Sequence, residues 1–427
     1  MTYQEFIKTI ASLNKIDTHE HYPTEDNIVG KKIDFFDLLV PYICDNLLTA
    51  GATTEQWIFI QSKSNSFEER WAIFALFLDD IKHTTYYRAL WKTLHDCYAM
   101  TEMSCAQAFR ISQLLQEENK SGLYKKINIM NNIEATFSFV PWNSFEVGQG
   151  ENIYAVPTVS DISIRSSVDI ALLAGVAGIA IESFETLLLA IDKLFEQYAN
   201  KGCRAIKFGS AYRRKLDFDL VTRDDAAKAF NKVLSEKVNG DSKMCAMPRS
   251  VLTLSDAKPL DDYLTDYMVS IAGSKSIPVF FHAGIHAWNE NSVEAIHVSY
   301  LEGLVRRHPN TTFILLHCGM PFVDDAIILC KYFRNVFLNM TWCHIIDREQ
   351  SKVCVKKFIE MLPTNKISGF GGDYIYPQQV YGHLQFAIEN IGTALWELVQ
   401  RNEMTEQEAI IISKKWFYDN PKKLLKI

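Results

Sequence analysis

Eight short runs of strand-forming residues, most of them followed by a segment with the 3.6-residue period of a helix, constrain this chain more than any other feature. The runs cover 15–20, 134–140, 154–158, 204–208, 278–282, 312–317, 336–340 and 367–373. Strands that alternate with helices build parallel sheets, because the return path between parallel neighbours needs a crossover of helix length. Eight is the number that closes such a sheet on itself, so the spacing predicts an α/β fold, a (β/α)8 TIM barrel. Helical patterns fall at 183–200, 223–238, 259–274, 292–308, 324–333, 352–361 and 381–401, with 405–423 closing the chain. Stretches 145–151 and 248–258, rich in Pro, Gly, Ser, Asn or Asp, read as loops.

The alternation breaks once. Residues 21–133 separate the first two strands, far more than a βα connection uses, and carry helical patterns at 34–49, 67–81, 86–98 and 104–118. The expectation is one barrel over 1–427 in which 27–125 form an inserted helical subdomain roofing the barrel mouth. The aromatic residues of that insert read as packing core, with Arg70 and Trp91 able to reach a substrate from above.

Composition narrows the class of partner. Lys plus Arg number 44 against 51 Asp plus Glu, a net charge of −7, and the longest basic run is Arg213-Arg214-Lys215. That is too few clustered cations for a nucleic-acid groove, so the expected partner is a small molecule. The first residues lack an apolar stretch, and the longest apolar run, 170–181, is closed by Asp169 and Glu182, so neither export nor membrane insertion is expected. Nine cysteines with no CxxC pair suit a reducing compartment, the cytoplasm. A symmetric homo-oligomer is the default assembly for such a chain.

The chemistry sits at strand ends. Asp17-Thr18-His19-Glu20-His21 ends the first strand with histidines at i and i+2, on one face of a strand. His282 ends the fifth, His317 the sixth and Asp373 the eighth. Imidazoles and a carboxylate at the carboxyl mouth of a barrel make a divalent-metal site with room for water, which such an ion acidifies. Asp373 beside that water can act as base, and Gly371 and Gly372 before it allow close approach. The ligand set suits zinc first, and manganese, iron or cobalt accept the same donors.

HxH on strand one, His on strands five and six, and Asp on strand eight resemble the amidohydrolase superfamily of metal-dependent barrels over nearly the whole chain. Leu316-His-Cys-Gly-Met-Pro-Phe and Gly372-Asp-Tyr-Ile-Tyr-Pro resemble the amidohydrolase-related branch, with its aromatic-acid decarboxylases and lactone hydrolases. The long insert is similar to that of uronate isomerases. The segments 205–214 and 419–425 resemble the amidohydrolase half of nodulin-type glutamine-synthetase fusions. The resemblance implies His19, His21, His282 and Asp373 as metal ligands, Asp373 also as base, and His317 as a second-metal ligand or a catalytic acid/base. It also places Lys207 where binuclear relatives carry a carboxylated lysine; unmodified, Lys207 is a cation for a substrate carboxylate.

Tyr212, Arg213, His286, Trp342 and Tyr374 follow strand ends and are expected to line the mouth with Lys207 as substrate contacts, Arg213 being the first candidate to grip a carboxylate. His344, Asp347 and Arg348 read as surface-loop residues, and His83, His95, His297, His308 and His383 as structural histidines away from the strand ends. The function expected is a metal-dependent hydrolase opening an amide or lactone of a small carboxylated substrate. The alternatives are a sugar-acid isomerase of the uronate type and a non-oxidative decarboxylase.

Overall fold

The structure is a computed structural model and describes residues 1–145, 152–235 and 253–427. All but Phe145 of the expected loop at 145–151, the first half of that at 248–258, and the end of the helix expected at 223–238 lie outside the described residues.

Eight parallel strands stand in sequence order: β1 (Lys15–Glu20), β2 (Ile133–Pro141), β3 (Ile153–Thr158), β4 (Ile206–Phe208), β5 (Val279–Phe281), β6 (Phe313–Leu315), β7 (Val336–Asn339) and β8 (Ile367–Ser368). The segment after β8 closes the ring onto β1, where Thr18 N–H bonds Phe370 O, Asp373 N–H bonds His19 O and His21 N–H bonds Tyr374 O. With helices around it, this is the (β/α)8 barrel that the alternation predicts.

Alternation along the strands sorts side chains into two cores. Ile16, Ala135, Phe137, Phe139, Val156, Ala205, Phe280 and Ile314 pack together inside the ring, joined by Leu425 from the chain's last helix. The intervening positions, such as Val279, Phe281, Phe313 and Leu315, pack outward against the helices. Period-two patterning with both faces buried is what parallel strands require.

Several boundaries differ from the sequence reading. β5, β6 and β8 stop short of His282, His317 and Asp373, and the last two adopt left-handed backbone at φ 57° and 65°. Leaving the ladder turns these side chains across the mouth instead of along the strand. The helix Leu254–Ser274 begins inside the expected loop, because Thr253 accepts Asp256 N–H as an N-cap. The expected helix over 292–308 is three short turns, Glu294–Ile296, Val298–Leu301 and Glu302–Arg307. A π turn, Lys415–Asp419, interrupts the closing helix and seats buried Trp416 against β8, its carbonyl accepting Gly369 N–H. The helices Tyr3–Ser12 and Ser167–Ala177 are additional.

Between β1 and β2 the chain is helical, with Tyr42–Thr49, Thr54–Gln61, Phe67–Ala75, Thr85–Tyr98, Cys105–Glu118 and Leu123–Met130 among its segments. Reciprocal capping boxes start two of them, at Thr53/Gln56 and Ser66/Glu69. Phe35, Phe36 and Phe74 are fully buried there. Arg70, expected as a possible substrate contact, is buried instead in a 2.7 Å ion pair with Asp34 and donates to Ile60 O. It tethers the insert.

Candidate metal centre and cavity

His19 in β1 and His21 just beyond it present two imidazoles to one side of the mouth, and β1 carries a bulge there. Three steps of β1, Asp17 to Glu20, pair with two steps of β2, Thr136 to Ser138. An extra residue shifts the facing of all that follow it. His19 Nε2 and His21 Nε2 lie 3.2 Å apart, and each faces Asp373 Oδ1, at 3.0 and 3.2 Å. The three ligand atoms fall within 4.8 Å of one another, a group that can hold a metal ion.

The backbone of Asp373 is gripped from three directions. Its N–H donates to His19 O at 2.8 Å, Gly372 N–H reaches Asp17 Oδ1 at 3.3 Å, and Tyr42 Oη donates to Asp373 O at 2.5 Å. Tyr42 belongs to the insert, so the stretch between β1 and β2 reaches the acid at the end of β8. Nothing in the spacing of Tyr42 pointed to this; only the packing of the insert brings it there.

His282 and His317 form a second pair. His317 Nε2 stands 3.1 Å from His282 Nδ1 and 4.0 Å from Asp373 Oδ2, while His317 Nδ1 faces Thr341 O and His282 Nε2 faces Ile285 O. His282, expected among the metal ligands, is therefore turned toward His317 and lies outside the three-residue cluster. Asp373 thus presents one oxygen to His19 and His21 and the other toward His317.

Burial controls the protonation of the group. It holds His19 and His282 well below the usual imidazole range and His317 down at about 4, so these rings are neutral, the form that binds metals. Burial pushes Asp373 up, but His19 and His21 outweigh it and keep the carboxyl well below its usual range. Lys207, in β4, places Nζ 3.3 Å from His19 Nε2 and 4.7 Å above the Phe139 ring, and burial lowers it to about 8.

Beside the cluster lie two buried carboxyls to which the sequence reading gave no role, Asp17 and Glu20. Burial raises Asp17 to about 6, and burial with the Asp17 charge raises Glu20 well above the usual range. Glu20 Oε2 accepts Tyr374 N–H at 2.6 Å, tying β1 to the β8 turn. The signal was present: acids interleaved with histidines in a strand buried on both faces cannot all be solvated.

A cavity of about 520 Å³ opens beside the cluster, lined by His21, Tyr42, Lys207, Tyr212, His282, Trp288 and Asp373 among others. An adjoining recess of about 350 Å³ follows Phe139 and Pro141 to Thr158 and Arg213. Of the expected mouth residues, Lys207 and Tyr212 line the main cavity, whereas Arg213 lines the recess and not the main cavity and is ion-paired with Asp161. Trp342 and Tyr374 are buried behind it, Trp342 stacked 4.7 Å from Tyr42 and Tyr374 edge-on to Tyr42 at 5.3 Å. His286 is buried against Tyr212, ring centroids 4.3 Å apart.

His344 is no surface residue: it is buried, with Nε2 2.9 Å from Gly369 O. Asp347 caps the helix Arg348–Met361, and Arg348 binds Glu389. His383 is buried with Nδ1 3.2 Å from Gly372 O, directly behind Asp373, so it does not lie away from the strand ends.

Fold and site define one class: a (β/α)8 barrel with a His-His-Asp group at its carboxyl mouth that can hold a metal ion. Residues 237–427 match the family model described as Amidohydrolase, which takes in His282, His317 and Asp373. Glucuronate isomerase from Caulobacter crescentus superposes with a TM-score of 0.78 at 17% identity, over 99% of this chain and 93% of that one. Uronate isomerase from Thermotoga maritima gives 0.78 at 14% identity, over 99% and 97%. At such identities these matches establish the fold. A curated relative, Protein fluG of Emericella nidulans, is 20% identical over 179 residues, 40% of this chain and 20% of that protein's length. Among the described residues no helix is long and apolar enough to cross a membrane.

Proposed function

We propose that the chain is a metal-dependent hydrolase that opens an amide or lactone bond in a small carboxylated substrate. One observation carries the reading. Asp373 presents Oδ1 to His19 and His21 at 3.0 and 3.2 Å and Oδ2 toward His317 at 4.0 Å, beside a cavity of about 520 Å³.

His19, His21 and Asp373 would hold a divalent ion, which supplies Lewis acidity toward water and a carbonyl oxygen. The donor set fits zinc, and manganese, iron or cobalt would accept it. Asp373, kept ionised by its imidazole neighbours, accepts a proton from the attacking water and returns it to the leaving group. His317, neutral and fixed by Thr341 O, stands 4.0 Å from Oδ2, on the side where the proton is exchanged. Among the described residues Lys207 is the one Lys or Arg lining the main cavity, and it faces the substrate's carboxylate. Arg213 is held by Asp161 and is not the grip. We further read 1–427 as one unit with 27–125 as its roof, working in the cytoplasm as a homo-oligomer.

The test is turnover in oxygen-18 water. A hydrolase puts one labelled oxygen into the product acid, and Asp373→Asn lowers kcat by about 10²- to 10⁴-fold with the fold intact. Unlabelled product would end the hydrolase reading; unlabelled product carrying solvent deuterium on carbon would mark the isomerase, and carbon dioxide release the decarboxylase.

A further inference from the structure

The cavity beside the ligand cluster is built unlike a sugar site. Phe139, Pro141, Pro41, Tyr42, Trp288 and Ile375 make up much of its wall. Most polar groups that face it are already engaged. Tyr42 Oη donates to Asp373 O, the N–H of neutral His282 is spent on Ile285 O, and Tyr212 Oη receives Ala287 N–H at 3.3 Å and keeps one O–H donor. His21, Lys207 and Asp373 belong to the cluster itself.

A sugar acid carries a hydroxyl on nearly every carbon, and each one buried without a partner forfeits the hydrogen bond it made to water. Walls of ring and proline carbon supply few partners. A flat apolar ring has no such debt, and aromatic faces bind it well. A free aromatic face is present. Trp288 is 50% exposed at the rim, on left-handed backbone at φ 71°. Its N–H is anchored on Asp45 Oδ2 at 3.0 Å, and the next residue, Asn289, donates to Asp45 O and to Thr49 Oγ1 at 3.3 and 2.9 Å. The inserted helix Tyr42–Thr49 thus anchors the backbone that carries the indole to the opening.

We infer that the substrate is an aryl acyl compound, with its flat apolar ring against Trp288 and the proline wall and its acyl group at Asp373. The placement of the acyl group rests on the hydrolase reading; the choice of ring over polyol rests on the wall alone. The inference separates this chain from the sugar-acid isomerases whose fold it shares.

The test is binding without turnover, by ligand-observed NMR titration of the full chain, zinc-loaded and metal-free, with propionate, 3-phenylpropionate and D-glucuronate. The expected result is 3-phenylpropionate bound at least roughly tenfold more tightly than propionate in both metal states, and D-glucuronate no more tightly than propionate. Trp288→Ala is expected to remove most of the aryl gain and leave propionate unchanged, with Trp288→Phe restoring it. Equal binding of the two monoacids, tighter binding of D-glucuronate, or an aryl gain undiminished in a folded Trp288→Ala protein would overturn the inference. Oxygen-18 labelling decides the hydrolase reading separately, so either can fail while the other stands.

Discussion

Asp373 owes its position to two glycines that no other residue can replace. A Cβ on Gly372 would collide with Glu20 Oε1 and one on Gly371 with Thr341 Oγ1, both on buried residues with no room to retreat. Gly372→Ala is therefore expected to cost about 1–3 kcal/mol, the usual price of overpacking, read as a lower urea midpoint. It should also displace Asp373 and weaken metal retention, which elemental analysis of the purified variant would show. The residues at this scale divide by legibility. His19 and His21 were readable from their i, i+2 spacing, and His317 and Asp373 because each ends a strand run that otherwise belongs in the core. Tyr42 and His383 were not, since each reaches Asp373 or Gly372 from a helix distant in sequence, and only packing aligns them.

At the scale of the element, the helix Tyr42–Thr49 acts as a brace between two loops. Tyr42 holds the β8 turn at one end, and Asp45 with Thr49 holds the loop after β5. Burial raises Asp45 to about 6, above the usual 3.8. The folded state then binds more protons than the unfolded chain between those values. Stability from this group is full below pH 3.8 and is lost as pH rises through about 6. Discounted for its partial exposure, the effect is about 1–2 kcal/mol. Asp45→Asn keeps an acceptor for Trp288 N–H and removes the titration. Urea unfolding at pH 4 and pH 7 should therefore show a smaller loss on alkalinisation in the variant than in the parent; identical losses would refute the assignment. The expected single helix over 34–49 is instead Phe35–Leu39 and Tyr42–Thr49, separated at Pro41, where proline lacks the N–H a continuous helix needs.

At the scale of the whole molecule, the ligand cluster joins the first strand to the segment after the last. His19 and His21 come from β1 and Asp373 from beyond β8, so an ion held among them would close the barrel across the seam where the described strands lack a β8–β1 ladder. Anything that binds the folded state alone stabilises it by mass action, about 2.7 kcal/mol at a hundredfold excess over Kd. Chelation is accordingly expected to lower Tm by about 3 °C. His19→Ala, with its ligand gone, should melt at one temperature with or without chelator and carry no metal by elemental analysis. A parent protein indifferent to chelator after zinc loading would remove the metal from the account.

The amino-acid sequence alone determined the architecture and the chemistry of the mouth, because both are written in local terms: a strand period of two, a helix period of 3.6, and ionisable residues ending apolar runs. It could not determine which of those residues meet. That His282 turns to His317, that Arg213 is spent on Asp161, and that Trp342 and Tyr374 stand behind the cavity are outcomes of side chains competing for partners in three dimensions. The cavity wall is likewise tertiary: Pro41, Tyr42 and Trp288 come from two stretches some 240 residues apart, joined through Asp45. Local pattern specifies an element and its faces; only packing decides what each face meets, and here that meeting sets the shape into which a substrate must fit.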